Sequence, residues 1–117
     1  MTDRAASYLS LAAKAGNVKS GETAAEEALR AGRAYLLIIA ADASENTKKK
    51  FRNLARSCRT PVLEYADRET IGHMIGKEYR STAAVTDEGL ANLIRRAARE
   101  NAWDSRRDET YGKNQGT

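Results

Sequence analysis

Apolar residues recur at helical spacing between residues 4 and 15, where Ala5, Tyr8, Leu9, Ala12 and Ala13 share a face until Gly16-Asn17 interrupts it. A short extended piece, Val18-Lys19, precedes Ser20-Gly21, and a second helix is expected from Glu22 to Ala31, with Ser20 as its N-cap and Gly32 as its C-cap. Residues 35 to 41 change the pattern to an unbroken apolar run, Tyr-Leu-Leu-Ile-Ile-Ala-Ala. That run is too short for most helices and predicts a central strand covered on both faces.

Asp42-Ala43-Ser44 reads as a turn with Ser44 as N-cap of a third helix, Glu45 to Cys58, whose apolar stripe is Phe51, Leu54, Ala55 and Cys58. Thr60-Pro61 stops it, and Val62 to Tyr65 is a short strand. Asp67 caps a short helix carrying Ile71, Met74 and Ile75, which Gly76 ends. Lys77 to Arg80 is a charged loop, and Ser81 to Thr86 a strand built on Ala83, Ala84 and Val85. Asp87 and Glu88 open a last helix, where negative charge suits the dipole, and Leu90, Leu93, Ile94, Ala97 and Ala98 carry it toward Trp103. Strands alternating with helices define an α/β domain with helices on both faces of the sheet. The domain is expected over residues 1–103, with residues 104–117 a polar, disordered tail.

Composition adds a direction. Lys and Arg total 20 against 16 Asp and Glu, a net charge of +4 and a pI of about 9.4, which makes nucleic acid a first partner to consider. The tail is neutral, with Arg106, Arg107 and Lys113 against Asp104, Asp108 and Glu109, so the excess belongs to the domain. Cys58 and His73 are each single, which leaves neither a disulfide framework nor a Cys/His zinc site within the chain. Neither a secretory leader nor a membrane-spanning segment is expected, and the expected location is the cytoplasm.

Catalytic chemistry finds little support. His73 has no cysteine or Ser-x-Gly partner, and Asp42 and Asp87 have ordinary turn and cap roles. Neither GxGxxG nor GxxxxGK[ST] occurs, so the phosphate-cradling loops of dinucleotide and nucleotide sites are missing. The expectation is a protein without cofactor, metal, small-molecule substrate or enzymatic activity. Two loops suit an anion instead. Lys14, Lys19, Ser20 and Gly21 lead into a helix N-terminus, and Lys77, Tyr79 and Arg80 put an aromatic ring beside two cations. Helix three crowds Lys48, Lys49, Lys50, Arg52, Arg56 and Arg59 into one segment, with Arg52, Arg56 and Arg59 expected opposite the core as a solubilising face.

The stretches SLAAKAGNVKSGETAAEEALRAGRAYLLIIAADASENTKKK and IGHMIGKEYRSTAAVTDEGLANLI resemble the ribosomal L-seven-Ae and L-thirty-e superfamily that binds kink-turn RNA, in its small bacterial YlxQ-like branch. The resemblance spans about residues 5 to 98. It implies a three-layer α-β-α sandwich around a mixed, mainly four-stranded sheet. It also implies non-catalytic binding of structured RNA, ribosomal or kink-turn-like, in a translation setting with ribosomal proteins as further partners. A protein-interaction module on the same fold is the alternative. By the family pattern one RNA contact falls on Lys19, Ser20, Gly21, Glu22, Thr23 and Ala24, and the other on Lys77, Glu78, Tyr79, Arg80 and Ser81. Kink-turn readers carry Gly-Thr-Asn-Glu with a lysine one turn later. Here Gly21 is kept, Glu22 and Thr23 replace Thr and Asn, Ala24 replaces the Glu, and Glu27 stands at the lysine.

Overall fold

The chain is described by a computed structural model over residues 3–100, together with the backbone of residues 108 and 109. Helix α1 (Arg4–Lys14) starts where Asp3 accepts hydrogen bonds from the amides of Ala5 and Ala6. The same carboxylate accepts the Tyr65 hydroxyl, which ties the start of the chain to the end of a strand. Strand β1 (Val18–Ser20) follows, then α2 (Glu22–Arg30), β2 (Leu36–Ile39), α3 (Glu45–Cys58), β3 (Val62–Glu64), α4 (Arg68–Met74), β4 (Thr82–Val85) and α5 (Glu88–Glu100). This is the order the hydrophobic pattern predicts.

The sheet runs β1-β4-β2-β3, with Asp108–Glu109 as a two-residue fifth strand, β5, outside β3. Among the described strands only β2 and β3 pair in parallel, joined through α3, with Leu37 opposite Val62. β4 lies antiparallel to β1 and to β2, with Ala83 opposite Ser20 and Ile38. Every residue of β2 and β4 is buried, because α2 and α3 cover one face while α1, α4 and α5 cover the other. Phe51, Leu9, Leu29, Ile71 and Ile94 bring the helices onto the strands.

Several boundaries differ from the sequence reading. Gly21, not Ser20, is the N-cap of α2, because Ser20 completes β1 opposite Ala83. Ala31 is its C-cap, and Gly32 follows at a φ of 73° in the left-handed region. Cys58 is half-buried against the core. Asp108 and Glu109 pair with Leu63 and Val62, where the sequence reading expected only a polar tail. The rest of that tail, and the extension of α5 toward Trp103, lie outside the described residues.

Candidate nucleic-acid interface

The end of the sheet where β1 and β2 finish and β4 begins gathers most of the expected residues. Gly21 sits at φ 90° and ψ 161°, a backbone conformation that a residue with a Cβ rarely adopts. Its N–H donates to the Thr82 carbonyl at 3.0 Å, and its carbonyl accepts from Ala25 at 2.9 Å. No side chain caps this helix. The other described helices start under a carboxylate or hydroxyl: Asp3 for α1, Ser44 for α3, Asp67 for α4 and Asp87 for α5. The first-turn amides of α2 therefore keep their partial positive charge for an external acceptor.

Arg80 lies over this helix start. Its Nε donates to Ser20 Oγ at 3.2 Å, its NH1 donates to the Tyr79 carbonyl at 2.7 Å, and a Cβ on Gly21 would lie 3.9 Å from Nε. Tyr79 is 62% exposed, so its ring is not folded back on the core. The loop is held by its backbone. Lys77 N–H donates to Gly72 O at 2.7 Å and Arg80 N–H to Arg68 O at 3.1 Å. Gly72 is what lets the loop lie so close, because a Cβ there would sit 2.0 Å from the Glu78 carbonyl oxygen. Lys77, Glu78 and Tyr79 line a depression of about 460 Å³ with Glu69, Thr70 and His73. Ser81 contributes through its backbone, its carbonyl accepting the Ala40 amide at 2.8 Å.

Lys14 is the predicted residue the structure places elsewhere. It borders a smaller depression of about 270 Å³ with Ser10, Ala13, His73, Met74, Ile75 and Gly76, at the junction of α1 and α4. The turn at Ala15 to Asn17 lies beside Thr86, at the opposite end of β1 from Ser20. Lys19, Glu22 and Thr23 are exposed around the helix start. Asp42 and Asp87 have local roles: Asp42 accepts the Arg68 amide at 2.8 Å and pairs with its guanidinium, and Asp87 accepts the Leu90 amide at 2.8 Å.

Sequence reasoning missed Thr47. Its hydroxyl donates to Glu22 Oε2 at 3.2 Å and accepts from Ser44 Oγ at 3.0 Å, so the start of α3 lies beside that of α2 and holds its first carboxylate. One turn further, Lys50 pairs with Glu26 at 3.3 Å. Arg30 and then Lys50 hold the Glu26 carboxyl below its ordinary pKa. The sequence offered Ser44 as the cap of α3 and nothing that paired residue 47 with residue 22. Arg52 is also corrected: it turns away from open solvent to Glu64 at 2.7 Å and is only 22% exposed.

The sandwich and its uncapped helix start define a ribosomal-protein-like α/β domain that sets the charged loop of Lys77 to Arg80 beside a helix N-terminus. The chain belongs to the ribosomal protein L7Ae/L30e/S12e/Gadd45 family, whose pattern matches residues 3–94. It is 40% identical over 86 residues to the RNA-binding protein YlxQ of Bacillus subtilis (strain 168), covering 74% of this chain and 86% of that one. Against the RNA-binding protein YlxQ of Enterococcus faecium it is 34% identical over 88 residues, covering 75% and 84%. A solved protein of unknown function from Bacillus halodurans C superposes with a TM-score of 0.79 at 31% identity, over 82% of this chain and 97% of that one. The Giardia lamblia 15.5kD RNA binding protein shares the fold with a TM-score of 0.67 at 18% identity, over 79% of each chain.

Proposed function

We propose that this chain binds structured RNA, ribosomal or kink-turn-like, and carries out no reaction on it. The observation that carries the reading is the open start of α2 beneath Arg80, with the exposed Tyr79 ring in the adjoining loop. Backbone amides and a guanidinium hold a phosphate there, and the tyrosine stacks an unpaired base. Lys19 and Lys77 add charge at the rim, while Gly21 lets the RNA backbone come close to the helix. The YlxQ relatives, both named RNA-binding proteins, support the same reading. A translation setting in the cytoplasm, with ribosomal RNA or ribosomal proteins nearby, is the cellular context that the family affiliation favours.

One observation favours a second reading, a protein-interaction module on the same fold. Ala24 replaces a hydrogen-bonding residue on α2, and Glu27 leaves an exposed acid where phosphate binding calls for a cation.

A titration of the full chain against a kink-turn RNA and a paired duplex of equal length, at two salt concentrations, separates the readings. The expected result is salt-sensitive preference for the kinked RNA, weakened by roughly 1–3 kcal/mol in Tyr79→Ala. Equal binding to both RNAs removes kink-turn recognition, and binding to neither favours the protein partner. An unchanged affinity in Tyr79→Ala removes the stacking role.

A further inference from the structure

The depression of about 460 Å³ between α4 and the loop that follows it is lined by polar side chains that leave one another alone. Glu69 and His73, one turn apart on α4, belong to its helix wall, and Lys77, Glu78 and Tyr79 to its loop wall. All five are exposed, and among the described residues none of their side chains makes a hydrogen bond or an ion pair. The remaining lining residue, Thr70, has its hydroxyl committed to the Asp67 cap. Neighbouring acids and cations elsewhere do pair, Asp42 with Arg68 at 3.4 Å and Glu26 with Lys50 at 3.3 Å. Here Lys77 shares a depression with two carboxylates and holds neither.

The walls are set by backbone contacts. Gly72 packs against the Glu78 carbonyl, and the Lys77 N–H donates to Gly72 O at 2.7 Å. The depression is therefore formed before a ligand arrives, and binding there loses little to ordering the chain. Its lining mixes both charges with two flat rings, which selects neither a simple anion nor a cation. A planar group that donates hydrogen bonds suits it, because Tyr79 and His73 offer faces for stacking and the carboxylates offer acceptors. Position makes that group a nucleobase. Tyr79 is followed by Arg80, whose Nε bonds Ser20 at the start of α2. Their Cα atoms are about 3.8 Å apart, so a nucleotide with its phosphate at Arg80 can lay its base on Tyr79.

The carboxylates also choose the base, since ionised carboxylates accept and cannot donate. Guanine presents two neighbouring N–H donors on its Watson–Crick edge, which match the two oxygens of one carboxylate. Adenine and cytosine present one donor beside a ring-nitrogen acceptor, and uracil one donor between two carbonyl oxygens. Each of these three sets an acceptor against the carboxylate. We infer that Glu69, His73, Glu78 and Tyr79 form a pocket for an unpaired guanine, the acids reading its donor edge and the two rings flanking its plane. Lys77 stands at the rim for a neighbouring phosphate. The inference rests on the RNA-binding reading above and gives it a base preference, through Glu69 and His73 on α4, outside both RNA contacts expected from the sequence.

The test uses the full chain and fluorescent kink-turn RNAs that differ only in one unpaired nucleotide of the bulge: guanosine, inosine, adenosine, cytidine or uridine. Wild type should prefer guanosine over adenosine, cytidine and uridine by roughly 5- to 150-fold, with inosine, which keeps one of the two donors, between them. Glu69→Gln/Glu78→Gln removes two negative charges and so strengthens binding of all five RNAs, but it should bring guanosine and adenosine to comparable affinity. The ratio between RNAs is therefore the readout. His73 is the single histidine of the chain, so its imidazole signals in NMR report on the pocket without any substitution. They should shift more with the guanosine RNA than with the uridine RNA. Equal affinity for all five RNAs, or preference for another base, overturns the pocket while leaving RNA binding at α2 in place. A guanosine preference that survives the double substitution, or His73 signals that do not respond, also overturns it. Wild-type chain that binds none of the RNAs overturns the underlying reading and the pocket together.

Discussion

Gly72→Ala tests whether the loop of Lys77 to Arg80 is positioned by backbone packing. The new Cβ would lie 2.0 Å from the Glu78 oxygen, 2.6 Å from its carbonyl carbon and 3.1 Å from the Tyr79 nitrogen. Ordinary contact begins at 3.4 Å, so the loop must retreat by about 1.4 Å or α4 must shift by as much. Either movement strains the 2.7 Å bond from Lys77 to Gly72 and the 3.1 Å bond from Arg80 to Arg68. Overpacking of this kind typically costs about 1–3 kcal/mol. Alanine's better helix propensity returns at most about 1 kcal/mol. Net destabilisation of about 1–2 kcal/mol should lower Tm by roughly 5–15 °C in a domain of this size. RNA affinity should fall further than stability does, because Tyr79 and Arg80 are the groups displaced. Gly89→Ala is the matched control: its Cβ would meet only the movable Asp87 carboxylate, at 3.4 Å, in the first turn of α5. Thermal denaturation and RNA anisotropy, run on both variants at one salt concentration, read the two effects. If Gly72→Ala melts and binds like Gly89→Ala, the loop is not held by this contact and the reasoning fails.

Two further perturbations address the scaffold around the site. The Thr82 hydroxyl is fully buried with no hydrogen-bond partner, so Thr82→Val should raise stability by about 1 kcal/mol, and a lower urea midpoint would refute this. The Asp67 carboxyl is held below its ordinary pKa by the Thr70 hydroxyl and amide. The stability it gives α4 is present above the unfolded value near 4 and is lost as pH falls through the lower folded value. The gap between wild type and Asp67→Ala in urea unfolding should therefore close in acid, and a gap independent of pH would refute the cap's ionic character.

The fold was largely legible because its signals are local. Ser44, Asp67 and Asp87 announce helix starts with side chains that reach amides within three residues. The run from Leu36 to Ile39 has no polar face, which is the mark of a strand covered twice. The misplaced N-cap shows the limit of such signals. Ser20 is a good capping residue by type, but the register of β1 against β4 makes it the last residue of a strand and sends its hydroxyl to Arg80. Lys14 lies apart from that helix start for a related reason: nearness in sequence to Ser20 did not survive the passage of the chain along β1.

The site's charge was the least legible part, because it depends on pairings between helices. In the sequence, the acids on α2 argue against an anion as partner. In the structure, Lys50 and Arg30 neutralise Glu26, while Glu22 accepts the uncharged Thr47 hydroxyl and keeps its negative charge at the helix start. Glu22 and Glu27 both stay exposed. The lysine run divides in the same way: Lys48 neutralises Glu64, Lys50 neutralises Glu26, and Lys49 remains open to solvent. A positive net charge therefore says little about where an anion binds until each internal pair is removed. What remains lies on several faces: Arg80 beside the uncapped amides of α2, and the exposed Lys14, Arg33, Lys49, Arg56, Arg59 and Arg96 elsewhere. Arg80 is set beside helix-start amides that no side chain caps, a pairing of cation and backbone that counting charges along the chain cannot reveal.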